Sequence, residues 1–263
     1  MKPPTGKPPA GSAGGKSSGK SIGRSPGKSI GTAPGRTAVQ DGRGLTTRLR
    51  TAKGRTTASQ RWLERQLNDP YVQAAKARGL RSRAAFKLIE LDERFHLLRP
   101  GQRVVDLGAA PGGWTQVAAE RIGLDRPGPG GHIVALDLLA MDPVPGAVVL
   151  QGDFQDEAAE AAVIAALDGQ ADLVLSDMAP NTTGHTATDH LRIIGLVELA
   201  LDFARRVLAP GGGFVAKVFQ GGTEKTLLDQ LRRDFREVRH AKPPASRKDS
   251  SELYVVATGF RGG

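Results

Sequence analysis

The sequence predicts an α/β protein in which a seven-stranded, mostly parallel sheet carries helices on both faces. Short apolar runs alternate with stretches of helical spacing from Arg103 to Phe235. That alternation builds a parallel sheet covered on both sides. Two further apolar runs read as closing strands. Setting aside a low-complexity N-terminal stretch leaves about 200 residues, enough for one such domain.

Taken in order, residues 61–78 (RWLERQLNDPYVQAAKAR) read as two short helices with a break at Pro70. In GLRSRAAFKLIELDERF the apolar positions are 85, 86, 88, 89, 91 and 95. This is helical spacing, with Arg81, Arg83 and Lys87 near its start. Strands follow at 103–110, running into a Gly-rich turn, and at 132–138, 147–154, 171–180 and 212–219. Helices fall between and after them at 114–122, 155–167, 187–208 and 223–235, and strands at 236–243 and 252–259 close the chain.

Composition narrows the class. The chain has 263 residues and is 39% apolar, slightly below the globular norm, so part of it is not expected to fold. With no cysteine, disulfides, Cys-ligated zinc, iron–sulfur clusters and thiol nucleophiles are excluded. The five histidines (96, 132, 185, 190 and 240) never pair at the short spacing of a helical metal site. No apolar run approaches the roughly 18 residues of a membrane span. The basic N-terminus lacks the apolar stretch of a secretory signal. A soluble, cytoplasmic protein is expected, with a monomer as the default.

The net charge of +10 is unevenly placed. Residues 1–58 hold twelve Lys/Arg and one acid, Asp41, while residues 59–263 hold 25 basic and 26 acidic residues. Residues 1–58 are therefore read as a disordered basic tail and 59–263 as the folded domain. Glycines recur every fourth residue from Gly15 to Gly35, most followed by Lys or Arg. A basic tail on a near-neutral body suits a polyanion such as nucleic acid. It would equally serve as a solubilising extension. Within it, GGKSSGKS (14–21) matches a P-loop pattern, but both flanks are low-complexity rather than strand and helix, so the match is discarded.

In doubly wound sheets, ligands bind beyond the carboxyl ends of the strands. Asp106, Asp137, Asp153 and Asp177 stand at four such ends, and Lys217 interrupts the apolar fifth strand. Any single Asp could be a helix cap or a solvated turn. Four converging on one crevice favour a site. The first loop, DLGAAPGGW, does not match the G-x-G-x-x-G spacing of a nicotinamide site. A Gly-rich turn and an acid after strand two also suit a nucleoside without pyrophosphate, and S-adenosylmethionine is such a ligand.

VVDLGAAPGGW (104–114), QGDF (151–154), SDMAPN (176–181), FVAKVFQG (214–221) and ELYVVATG (252–259) together resemble the FtsJ-like large-subunit ribosomal RNA 2′-O-ribose methyltransferases. The resemblance runs from about Ser59 to Gly259 and leaves the tail outside. It implies a Rossmann-like S-adenosylmethionine-dependent methyltransferase fold. It implies a Lys–Asp–Lys–Glu catalytic tetrad at Lys87, Asp177, Lys217 and Glu252. It also implies cofactor contacts at Gly112, Trp114, Asp137, Asp153 and Asp177, and no metal. The implied activity is methylation of a uridine ribose in 23S ribosomal RNA on the assembled 50S subunit, which makes the large ribosomal subunit the expected partner. Two stretches depart from the family pattern: the long loop LDRPGPGG (124–131), and Ser251 where a basic residue is expected.

Methyl transfer to a hydroxyl requires alignment and removal of a proton. Lys217 is the expected base. Desolvation and the like charge of Lys87 would favour its neutral form, while Asp177 and Glu252 oppose that. A charged Lys217 that only steers the hydroxyl is the alternative. Trp62 and Trp114 read first as packing residues. Residues 76–103 carry eight Lys/Arg against three acids, read as a basic surface beside the crevice where phosphates would settle. Two other functions stay open: methylation of transfer RNA or a messenger RNA cap, and a non-catalytic ribosome-assembly factor. The intact tetrad argues against the last.

Overall fold

The computed structural model describes residues 56–124, 130–180, 183–220 and 225–262. The tail expected over 1–58, with its P-loop-like repeat, lies outside them except for its last three residues. So do the centre of the 124–131 loop, Asn181 and Gly221, and the side chain of Trp62.

Three helices lead the domain. Helix α1 (Thr57–Leu67) is capped by Thr56, whose hydroxyl accepts from the Ser59 amide. The first described helix thus starts two residues before the boundary expected at 59. Helix α2 (Pro70–Ala77) starts with Pro70 at its first position and Asp69 as N-cap. Both placements suit a helix start, because Pro lacks a donor there and the Asp carboxylate satisfies a free amide. Helix α3 (Ala85–Phe95) ends at His96 in the left-handed conformation.

The alternating part follows as β1 (Arg103–Leu107), α4 (Gly113–Ile122), β2 (His132–Asp137), β3 (Val148–Gln151), α5 (Glu157–Leu167), β4 (Ala171–Ser176), α6 (Thr186–Val207), β5 (Leu208–Phe219), α7 (Lys225–Asp234), β6 (Phe235–Ala241) and β7 (Glu252–Phe260). The sheet order is β3-β2-β1-β4-β5-β7-β6. Strands β1 to β5 run parallel, and β7 is antiparallel to both β5 and β6. The seven-stranded, mostly parallel sheet with helices on both faces is as the sequence predicts. β5 begins earlier than expected because Leu208 pairs with Ala171 across an irregularity in register.

The core divides by strand parity, since successive side chains point to opposite faces. Val105, Val134, Val174, Phe214 and Val255 pack beneath α5, α6 and α7. Val104, Ile133, Leu173, Val215 and Tyr254 pack beneath α2, α3 and α4. Each fully buried Leu or Phe on either face contributes roughly 1.5–3 kcal/mol. Lys217 shares parity with Val215, so it leaves the sheet on the α3 face. Among the described residues no helix is long and apolar enough to cross a membrane.

Candidate active site and cofactor cleft

A cleft of about 1070 Å³ opens beyond the carboxyl ends of β1, β2, β3 and β4, and Asp137, Asp153 and Asp177 line it. Each carboxylate is held from the backbone or by a neighbour. Asp137 accepts from the amides of Ala110 (2.8 Å) and Leu139 (2.7 Å), pinning the Gly-rich turn to the end of β2. Asp153 accepts from the Gln155 amide at 3.0 Å. Gly108 lets that turn approach β4. It has φ of +76°, and a Cβ there would stand 2.8 Å from the Met178 backbone.

Asp106, at the same strand end, lies beneath the cleft and is fully buried. Thr115 Oγ1 donates to its Oδ2 at 2.7 Å, while Oδ1 is buried without a partner. Burial pushes its carboxyl up to about 7, helped by the negative charges of Asp177 and Asp137 and opposed by the Thr115 bond.

The four tetrad positions form two ion pairs. Lys217 Nζ donates to the Asp177 carbonyl (2.5 Å) and to Asp177 Oδ1 (3.0 Å). Lys87 Nζ donates to Glu252 Oε2 at 2.6 Å. Helix α3 supplies Lys87, the end of β4 supplies Asp177, β5 supplies Lys217 and the start of β7 supplies Glu252. The β5–β7 register sets Lys217 opposite Tyr254 and Phe219 opposite Glu252, so the β7 pair shares the face of Lys217.

Tyr254 joins the two pairs, and sequence reasoning had missed it. Its hydroxyl donates to Asp177 Oδ1 at 2.8 Å. Burial raises its phenol well above the usual range, reinforced by the Asp177 and Glu252 charges, so it stays a donor. A Tyr in ELYVVATG reads only as strand propensity; its position two residues after Glu252 was the available signal. Ser246 was missed as well: its Oγ donates to Glu252 Oε1 at 2.7 Å.

A second, smaller cavity of about 270 Å³ lies on the Lys87–Glu252 side, lined also by Arg83, Arg247, Asp249 and Ser250. The two cavities differ in charge. The large cleft is lined by five carboxylates (Asp137, Asp153, Asp177, Glu198 and Asp202) and one arginine, Arg192. The small one has three cations and two anions. The tetrad stands between them, with Asp177 on one and Lys87 and Glu252 on the other.

This donor set fits S-adenosylmethionine. Carboxylates on otherwise apolar walls suit a nucleoside that carries positive charge, and the volume matches a ligand of that size. Asp137, Asp153 and Asp177 line the cleft. Trp114 is placed differently from the expectation. Its indole is 3% exposed, donates to the Ala84 carbonyl at 2.9 Å and packs against Tyr254, because α4 turns that face into the core. Gly112 does not line the cleft either; it makes the turn into α4. The reading of residues 76–103 as one basic surface is also corrected. Arg103 starts β1, at the opposite end of the sheet, and donates to the Leu167 carbonyl. Arg83 pairs with Asp69, and Arg81 is bound to backbone carbonyls.

Comparison with known proteins gives a consistent set of likenesses. Residues 80–260 match the family model described as FtsJ-like methyltransferase. The chain is 67% identical over 220 residues to the ribosomal RNA large subunit methyltransferase E of Paramagnetospirillum magneticum, covering 84% of this chain and 90% of that protein. It is 65% identical over 222 residues to the protein of the same name from Xanthobacter autotrophicus, covering 84% and 87%. A solved ribosomal RNA methyltransferase from Plasmodium falciparum superposes with a TM-score of 0.61 at 29% identity, over 70% of this chain and all of that one.

Proposed function

The chain belongs to the FtsJ-like methyltransferase family, and from that membership we propose that it methylates the ribose 2′-hydroxyl of a uridine in the 23S RNA of the large ribosomal subunit. The carrying observation is the tetrad set between an acidic cleft and a basic pocket. The acidic cleft suits a cationic cofactor and repels phosphates. The small pocket, with three cations against two anions, leaves a net positive charge beside the tetrad that favours an RNA backbone, although Arg83 and Arg247 both also pair with Asp69. A 2′-hydroxyl exists only in RNA, so the chemistry itself rejects DNA.

When bound, S-adenosylmethionine supplies a methyl group on a positively charged sulfur, already activated for in-line displacement. Asp177 has two tasks. Its carboxylate and carbonyl fix Lys217 Nζ, and the same residue lines the cleft. A neutral lysine amine has two N–H bonds and one lone pair. The two acceptors of Asp177 take the N–H bonds, which leaves the lone pair for the hydroxyl proton. In this reading Lys217 acts as the base once it has lost its proton, against the pull of the Asp177 carboxylate, and Asp177 orients it. Glu252, held by Ser246 and Lys87, balances the Lys87 charge at the pocket where the ribose enters. Tyr254 links the two pairs: its hydroxyl donates to Asp177 and its ring centre lies 5.8 Å from Lys87 Nζ.

The test is transfer of label from methyl-labelled S-adenosylmethionine to large subunits lacking the modification, beside Lys217→Ala. Label is expected as an alkali-resistant 2′-O-methyl dinucleotide, absent in the variant although the variant still binds cofactor. Transfer only to another RNA would overturn the substrate. Cofactor binding without any transfer would leave an assembly factor. The single-turnover rate should rise with pH to a plateau; a flat profile would sink the base role of Lys217.

A further inference from the structure

Arg81 has a place that its charge alone does not suggest. Its guanidinium donates to three backbone carbonyls: Pro111 (3.4 Å), Asp142 (2.5 Å) and Pro143 (2.6 Å). Pro111 belongs to the Gly-rich turn after β1. Asp142 and Pro143 belong to the segment that follows Asp137. The base of Arg81 is anchored too, since its amide donates to Gln116 Oε1 (3.1 Å) and Gln116 Nε2 donates to the Gly79 carbonyl (3.0 Å). Gly112 makes room for it. A Cβ at Gly112 would stand 2.7 Å from Arg81 Nη1, and its φ of +99° disfavours any side chain.

Both segments joined by the guanidinium flank the cofactor cleft. Ala110 lines it from one side, and Asp137, Leu138 and Leu139 from the other. A planar fork with several donors can bridge two loops at once, whereas a lysine offers a single point. Three donors spent on carbonyls are not available to a phosphate. We propose that Arg81 is a positioning residue for the cofactor: it clasps the turn after β1 to the segment after β2 and holds the cleft in its binding shape. This rests on the S-adenosylmethionine reading of that cleft.

The test uses full-length wild type, Arg81→Ala and Arg81→Lys. Cofactor binding is titrated by calorimetry with S-adenosylmethionine, RNA binding is measured on large-subunit RNA at fixed salt, and hydrogen exchange is followed in the cofactor-free proteins. Arg81→Ala should weaken cofactor binding about tenfold. It should also speed exchange across 108–113 and 138–143 and leave RNA affinity unchanged, with Arg81→Lys recovering part of the loss. Weakened RNA binding with unchanged cofactor binding would overturn the proposal and make Arg81 a phosphate ligand. No change in either affinity would overturn it as well. Should Arg81→Ala fail to fold, an Arg81→Lys protein that binds cofactor as tightly as wild type overturns it. A wild type that binds no S-adenosylmethionine fails the cofactor reading itself, and the proposal falls with it.

Discussion

Replacing Asp106 with Asn should change how stability depends on pH. In the folded protein burial raises this carboxyl to about 7, against 3.8 for an ordinary aspartate. Below pH 3.8 both folded and unfolded chains hold the proton, and the residue is neutral in effect. As pH rises from 3.8 to 7 the unfolded chain ionises first, so stability is lost through that window. Above 7 the loss levels off at about 4 kcal/mol. Between pH 5 and pH 8 the share is roughly 2.5 kcal/mol. Asn has the same shape and cannot ionise, and its side-chain carbonyl can still accept from Thr115. Urea unfolding of both cofactor-free proteins at the two pH values measures the difference. Wild type should lose about 2.5 kcal/mol more than Asp106→Asn on going to pH 8. A gap between the two proteins that stays constant with pH would refute the account of Asp106 as a carboxyl kept protonated by burial.

Other consequences are open to measurement. Tyr254→Phe removes the donor to Asp177 and should cost about 1.5–3 kcal/mol of stability. It should also slow methyl transfer more than it weakens cofactor binding; equal stability and equal rate would deny Tyr254 a linking role. Gly108→Ala forces a methyl against the Met178 backbone and should lower stability by about 1–3 kcal/mol, with weaker cofactor binding. An unchanged melting temperature there would mean that the turn relaxes freely. Deleting residues 1–55 removes twelve cations and one anion. RNA affinity should then fall less steeply with salt, and an identical slope would show that the tail makes no phosphate contacts.

The sheet was legible because its signal is local. Runs such as RVVDL and HIVALD announce buried strands, and their terminal aspartates announce a crevice. The carboxylates of Asp137 and Asp153 could be placed there from topology alone. Lys217 stood out as a charge inside an apolar strand, but Lys87 and Glu252 gained meaning only through resemblance. Contacts between distant segments stayed hidden. The Tyr254 hydroxyl meets a carboxylate 77 residues earlier, and no periodicity encodes that meeting. Trp114 reads from the residues as a packing side chain, with cofactor contact implied only by resemblance, and its indole meets the junction with α3. Arg103 was counted with the RNA-facing cations on charge alone, although it opens the strand read at 103–110 and so stands at the end away from the crevice.

The pairing of β5 with β7 works as a parity check on the chain. Seven residue pairs, from Gly213 with Thr258 to Phe219 with Glu252, keep Lys217, Tyr254 and Glu252 on one side of the sheet. One residue added between Glu252 and Tyr254 would turn Glu252 to the α6 face and uncouple it from Lys87, with every catalytic residue still present. An addition in the loop before Glu252 changes no parity. The joint from 242 to 251 can thus change length without altering that parity, and it preserves the site only where Ser246 and Arg247 keep their places beside Glu252. Beyond it, the spacing from Glu252 through Leu253 to Tyr254 must keep both its count and its order.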